Sequence, residues 1–347
     1  MAYGLSKKNS NLIITPNHTA ITGGPTVKGV WIPPAPHLIR GDVEQWAKQA
    51  GVSTSERIVG YWIEKPGSNI PVDAPPGADE KVILSFHGGI YVFGSAHPSD
   101  MTCAIRHQLL KHTTTVSRIL NVEYRVSRRG QDGESVHPFP AALVDAVAAY
   151  NYLVNTLGFK PENVVVMGDS AGGNLSLALA RYLRDQRLVV AAKGADASSS
   201  LPDLPSALLL FSPWAEIVVR PNGSATQNRK VDFLDVLRDD FVACTRMFLG
   251  RVSFDASASN PYLSPASETC YDAGFKGFPQ TYIASGGGET LLDQIRVLKS
   301  RMEADLGEGN VRYDEVVDAV HDLWLFGWQE PERTKSLQAI ASWLETL

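Results

Sequence analysis

The run Gly168-Asp169-Ser170-Ala171-Gly172 is the part of this 347-residue sequence best suited to covalent chemistry. Serine is a weak nucleophile until a base takes its proton, and its attack on a carbonyl needs donors aimed at the developing oxyanion. A lone Gly-x-Ser-x-Gly is a weak signal, because Gly and Ser are common residues. The setting strengthens it. A short apolar run, Asn163-Val164-Val165-Val166-Met167, ends just before the motif, and Leu175, Leu179, Tyr182 and Leu183 recur at helical spacing just after it. A strand-to-helix turn that sharp strains the serine backbone, and small neighbours such as Gly168 and Gly172 avoid clashes there. The helix N-terminus behind Ser170 adds donors and a positive dipole end where an oxyanion would form.

A second glycine motif, His87-Gly88-Gly89-Ile90, follows the β-rich run Lys81 to Phe86. Glycines let the backbone come close to a substrate, so the motif is expected to aim N–H groups at the oxyanion. With a nucleophile on such a turn, the partners follow in the order serine, acid, histidine. Of the eight histidines only His321 lies after Ser170, in Val320-His321-Asp322-Leu323-Trp324. Two carboxylates fall between them, Glu289 and Asp293, in the run from Ala284 to Asp293. Glu289 stands immediately after a turn and is favoured as the acid. Asp293 falls within the following helix and is expected to be a capping or surface carboxylate.

These residues need a frame, and the sequence patterns supply one. Apolar β-rich runs are expected near 57–63, 81–86, 117–124, 163–167, 207–211, 279–284 and 311–316. Helical spacing is found near 102–112, 143–157, 175–183, 291–302 and 337–347. Strand and helix in alternation predict an α/β fold: a mostly parallel central sheet covered by helices on both faces, in a single domain over 1–347. Residues 1 to about 40 read as loop or extended arm, and a short helix follows with Asp42 as N-cap, Gln45 at the capping-box position and Gly51 as stop. A polar insertion spans 126–137 and a surface loop 193–205. Residues 215–265, with a helical stretch over about 231–249, are expected to join residues 1–55 in a helical cap over the sheet edge where ligands bind. Phe233, Leu234, Phe241 and Phe248 could line an acyl pocket there, with core packing of a cap helix the favoured reading.

Composition narrows the function. A formal net charge of −5 argues against nucleic-acid binding. Cys103, Cys244 and Cys270 match no metal or redox spacing and read as buried free thiols. No signal peptide and no apolar stretch of membrane-spanning length is found, which suggests a cytoplasmic protein. Ser285-Gly286-Gly287-Gly288 lacks the Gly-Lys-Ser/Thr of a phosphate loop, and there is no His-Glu-x-x-His, so neither cofactor nor metal is expected.

Together these residues resemble the hormone-sensitive-lipase-like family (α/β-hydrolase fold-3), its fungal carboxylesterases most closely. The resemblance runs from about residue 58 to the C-terminus. It rests on His87-Gly88-Gly89, on His137-Pro138-Phe139-Pro140-Ala141-Ala142-Leu143, on Gly168 to Asn174, on Ser212-Pro213-Trp214 and on His321. It implies a Ser170–Glu289–His321 triad and an oxyanion hole from Gly88, Gly89 and Ile90 together with the Ala171 amide. Three departures stand out: Ile90 replaces the third motif glycine, Glu289-Thr290-Leu291 replaces the usual Asp-Pro-Leu, and Tyr124-Arg125-Val126-Ser127 runs into the polar insertion. The expected function is a serine carboxylesterase acting on small esters of short to medium acyl chains, with a homodimer allowed for. An amidase, formamidase or lactonase could use the same triad, and a non-catalytic ligand-binding member of the fold is the remaining alternative.

Overall fold

The computed structural model describes residue 21 and residues 27–192 and 201–347. Its strands in chain order are β1 (Lys28–Ile32), β2 (Ile58–Glu64), β3 (Lys81–Phe86), β4 (Val116–Glu123), β5 (Arg128–Arg129), β6 (Ser135–Val136), β7 (Val164–Asp169), β8 (Ala207–Phe211), β9 (Gln280–Gly286) and β10 (Val311–Val316). The helices are α1 (Gly41–Gln49), α2 (Ala104–His112), α3 (Ala141–Asn151), α4 (Ala171–Ala192), α5 (Gly223–Gln227), α6 (Asp239–Leu249), α7 (Phe254–Ala258), α8 (Leu292–Leu306) and α9 (Glu332–Leu344). Eight strands form one sheet in the order β1-β2-β4-β3-β7-β8-β9-β10. The pairs β1–β2 and β2–β4 are antiparallel, and every pair from β4 to β10 is parallel.

Both faces of the central strands are buried, as their continuous apolar runs require. Alternate residues of one strand serve opposite faces. Val164 and Val166 of β7 pack with α3, α4 and α8, whereas Val165 and Met167 pack with Ile105 and Leu109 of α2 and Leu337 and Ile340 of α9. The α/β architecture expected from the sequence is therefore the observed one.

Local details differ from the expectation. Residues 28–32, read as part of an arm, pair with β2 along its whole length; five residues between Pro/Gly segments are too few to show a clear period. Residues 1–20 and 22–26 of that arm, and 193–200 of the expected loop, lie outside the described residues. Helix α1 starts two residues earlier than predicted, with Arg40 as N-cap, so Asp42 sits in the first turn and favours the helix dipole instead of capping it. Gly51 does end it, at φ +64°. The polar insertion holds the two-residue hairpin β5–β6. The helix expected over 231–249 begins only at Asp239, because the chain before it turns to place the Asp232 carboxylate. The three cysteines are free and buried. Among the described residues no helix is long and apolar enough to cross a membrane.

Candidate active site

Strand β7 ends at Asp169 and α4 begins at Ala171, leaving Ser170 alone in the turn at φ +52°. A non-glycine residue rarely adopts this conformation, and at a turn like this one it marks stored strain. The surroundings hold it there. The Ser170 amide donates to Phe211 O (2.9 Å), and Ser170 O accepts from Trp214 N (3.0 Å) and Asn174 N (3.2 Å). The flanking glycines are required by contact. A Cβ on Gly168 would lie 2.1 Å from Gly172 O, and one on Gly172 would lie 2.1 Å from Phe86 O.

The second glycine motif leaves β3 beside this turn. Gly89, Ile90 and Tyr91 follow one another at φ +114°, +58° and +58°, so a β-branched side chain occupies a conformation it disfavours. His87 is fixed from two sides: its ring stacks on Tyr124 with centroids 4.3 Å apart, and its carbonyl accepts from Tyr124 Oη (2.7 Å). Burial pushes the His87 pKa down, which keeps the ring neutral.

One expected donor must be withdrawn. The Gly88 amide donates to Asp169 Oδ2 at 2.8 Å, so Gly88 cannot also bind an oxyanion. The amides of Gly89, Ile90 and Ala171 donate to no protein group among the described residues. Asp169, an unremarked member of the pentapeptide, therefore ties the two glycine motifs together. It is itself held by the buried Arg106 Nη1 at 2.6 Å, and Arg106 also donates to Ser85 Oγ and Phe86 O. Breaking one partner of a buried pair leaves the other charge uncompensated. Arg106→Met is thus expected to lower unfolding stability by about 3–5 kcal/mol, read by urea denaturation. A loss below about 1 kcal/mol would contradict this bracing role.

The histidine loop comes from beyond β10. His321 is buried, and its Nδ1 lies 2.9 Å from Glu289 Oε2. Glu289 follows β9 and is fully enclosed. Burial raises its pKa, while His321 and the Ser212 hydroxyl favour its ionised form. Asp293 goes elsewhere: it is half exposed and accepts the Ser224 amide at 2.7 Å in the first turn of α5. Ser212 also accepts the Asp322 amide (3.2 Å), and neighbouring Phe211 and Trp214 hold Ser170. The Ser212-Pro213-Trp214 run thus links the serine turn to the histidine loop.

Two carboxylates beside the histidine were not singled out in the sequence. Asp232 Oδ1 accepts the His321 amide (3.1 Å) and its Oδ2 accepts the Thr290 amide (2.8 Å). Asp322, at φ +48°, sets Oδ2 3.2 Å from His321 Nε2. No hydrogen bond joins Ser170 Oγ to His321 among the described residues. Asp322 was adjacent to His321 in the chain, but only the left-handed turn brings its side chain back onto the same ring. Burial by itself lowers the His321 pKa, yet Asp322, Glu289 and Asp232 outweigh it and raise it to about 10. Burial pushes the Asp322 carboxyl up, while the His321 imidazolium beside it favours its ionised form.

This fold and this arrangement define an α/β hydrolase: the chain belongs to the alpha/beta hydrolase fold family whose model matches residues 83–325. It is 28% identical to an acetyl-hydrolase of Streptomyces hygroscopicus over 279 residues, 78% of each protein. It is 25% identical to the versiconal hemiacetal acetate esterase of Emericella nidulans over 253 residues, 73% of this chain and 77% of the relative. A crystal structure of an esterase from the bacterial hormone-sensitive lipase family superposes with a TM-score of 0.61 at 27% identity, covering 83% of this chain and 80% of that one. The resemblance to that family is borne out. The narrower fungal affinity is not, since bacterial and fungal esterases match alike.

Proposed function

We propose that Ser170 is the nucleophile, His321 the base that activates it, and Glu289 the carboxylate that orients His321. The chain is a carboxylic ester hydrolase, and the contact that carries the residue assignment is the enclosed 2.9 Å bond between Glu289 Oε2 and His321 Nδ1. That bond fixes the tautomer and leaves Nε2 as the working nitrogen. Nε2 exchanges Asp322 Oδ2 for Ser170 Oγ and takes the hydroxyl proton as Oγ attacks the ester carbonyl. Gly89, Ile90 and Ala171 donate to the oxyanion. His321 returns the proton to the departing alkoxide, and a water activated by the same nitrogen then releases the acid. A burst of p-nitrophenol equal to the enzyme concentration, on mixing with p-nitrophenyl butyrate, is expected if the acyl-enzyme accumulates.

Short to medium acyl chains are the expected substrates; next to the oxyanion loop, Tyr91 is buried and stacked on Phe248 at 3.9 Å. Of the expected cap, residues 28–32 belong to the sheet; we take 33–55 and 215–265 as the cap over this site, with α1, α5, α6 and α7 as its helical part. Three free buried thiols favour a reducing, cytoplasmic setting. Among the described residues β10 is the last strand of the sheet, and its outer edge is where a homodimer would form.

Asp322 sets the pH dependence. A general base works only when neutral, so kcat/KM is expected to rise with pH along an alkaline limb belonging to His321. Removing a neighbouring negative charge lowers a histidine pKa. Asp322→Asn, which tolerates the left-handed backbone, should therefore move the limb to lower pH and raise kcat/KM near neutrality. Rate profiles from about pH 6 to about pH 10 decide it. A limb that stays in place contradicts this role of Asp322.

A further inference from the structure

The surroundings of His321 carry apolar surface that the hydrolytic residues do not use. Phe233 is 56% exposed although its neighbours are pinned: Asp232 accepts from Thr290 and His321, and Leu234 O accepts from Thr290 Oγ1 at 2.9 Å. Its ring lies 6.0 Å from the His321 ring, 5.1 Å from Phe326, and Phe326 lies 5.5 Å from Trp328, which is 65% exposed. Three rings thus lead outward from the histidine. Of these, Phe233 was read from the sequence as packing for a cap helix; it is neither helical nor buried.

We propose that Phe233, Phe326 and Trp328 form a subsite for the alcohol half of the substrate, and that this half is a planar aromatic group. The inference rests on His321 being the group that protonates the leaving alkoxide. That proton transfer puts the alcohol oxygen at Nε2, so whatever is attached to it extends along the side of the site that His321 occupies. The acyl half stays on Ser170. Rings tilted against one another by 74° and 30° offer both edges and faces, which a flat aromatic ring matches better than a flexible alkyl chain does. A contiguous set of aromatic rings left open to water beside the base marks a surface that a ligand covers.

The test uses acetates, so that every substrate passes through one acyl-enzyme and only the alcohol differs. Trp328→Ala and Phe233→Ala are compared with the unaltered enzyme on 2-naphthylmethyl, octyl and ethyl acetate. Each variant is expected to lose about tenfold in kcat/KM on the naphthylmethyl ester while keeping its rate on ethyl acetate. Acyl transfer to added 2-naphthylmethanol, relative to hydrolysis, should fall in the same proportion. Equal losses on octyl and naphthylmethyl esters would overturn the aromatic assignment in favour of a general apolar or lipid surface. Unchanged rates on all three would overturn the subsite. Because Trp328 lies outside the hydrolytic residues, either result leaves ethyl acetate hydrolysis intact, whereas failure of the Ser170–His321 reading would be seen on every ester.

Discussion

Ser170→Ala is expected to abolish hydrolysis of short-chain p-nitrophenyl esters, with kcat falling by about 10⁵–10⁶-fold while the protein stays folded. Nothing else in the site can replace the lost oxygen. The residues that would donate to the oxyanion remain, so a small residual rate above that in water should survive. Folding should be little affected, because the turn is held by the Ser170 backbone: its amide on Phe211 O and its carbonyl on Trp214 N. Alanine at φ +52° is no more strained in kind than serine is. The measurement is kcat on p-nitrophenyl acetate or butyrate beside a thermal melt. A folded variant retaining a tenth or more of the activity would remove Ser170 from the mechanism.

Glu289→Ala should be the next most damaging change, lowering kcat by about 10³–10⁴-fold. Without the carboxylate on Nδ1, the imidazole is free to take the wrong tautomer, and the imidazolium formed during attack loses its buried counter-charge. Asp293→Ala is the matched control. It removes the acceptor of the Ser224 amide and should cost about 1 kcal/mol of stability, as loss of a helix cap does, with kcat within about twofold of the original. The reverse order would transfer the orienting role to Asp293.

The parts of this site that were legible in the sequence are those whose chemistry constrains the backbone. The glycines of 168–172 announce themselves because a Cβ would strike the opposing chain. His321 was found by chain order alone, and Glu289 was preferred to Asp293 by its place directly after a turn. The parts that were missed depend on side chains meeting across the fold. Asp169 and Arg106 are far apart in the chain and adjacent only once β7 and α2 pack. Asp322 sat in plain view beside His321, yet a neighbour in sequence reaches the same ring only at positive φ. Asp232 fell inside a predicted helix, and its bonds to His321 and Thr290 outweighed the local helical preference. Gly88 shows the converse error. The motif pointed to three donors, and the Asp169 carboxylate had already taken one of them.

The central claim is that an acyl group is carried on Ser170, and covalent labelling tests it most directly. Incubation with diethyl p-nitrophenyl phosphate should add one diethylphosphoryl group per chain, block esterase activity in step with its incorporation, and map to the peptide containing Gly168 to Gly172. The Ser170→Ala variant should take up none. Stoichiometric labelling at another residue, or full inactivation with Ser170 unmodified, would contradict the account.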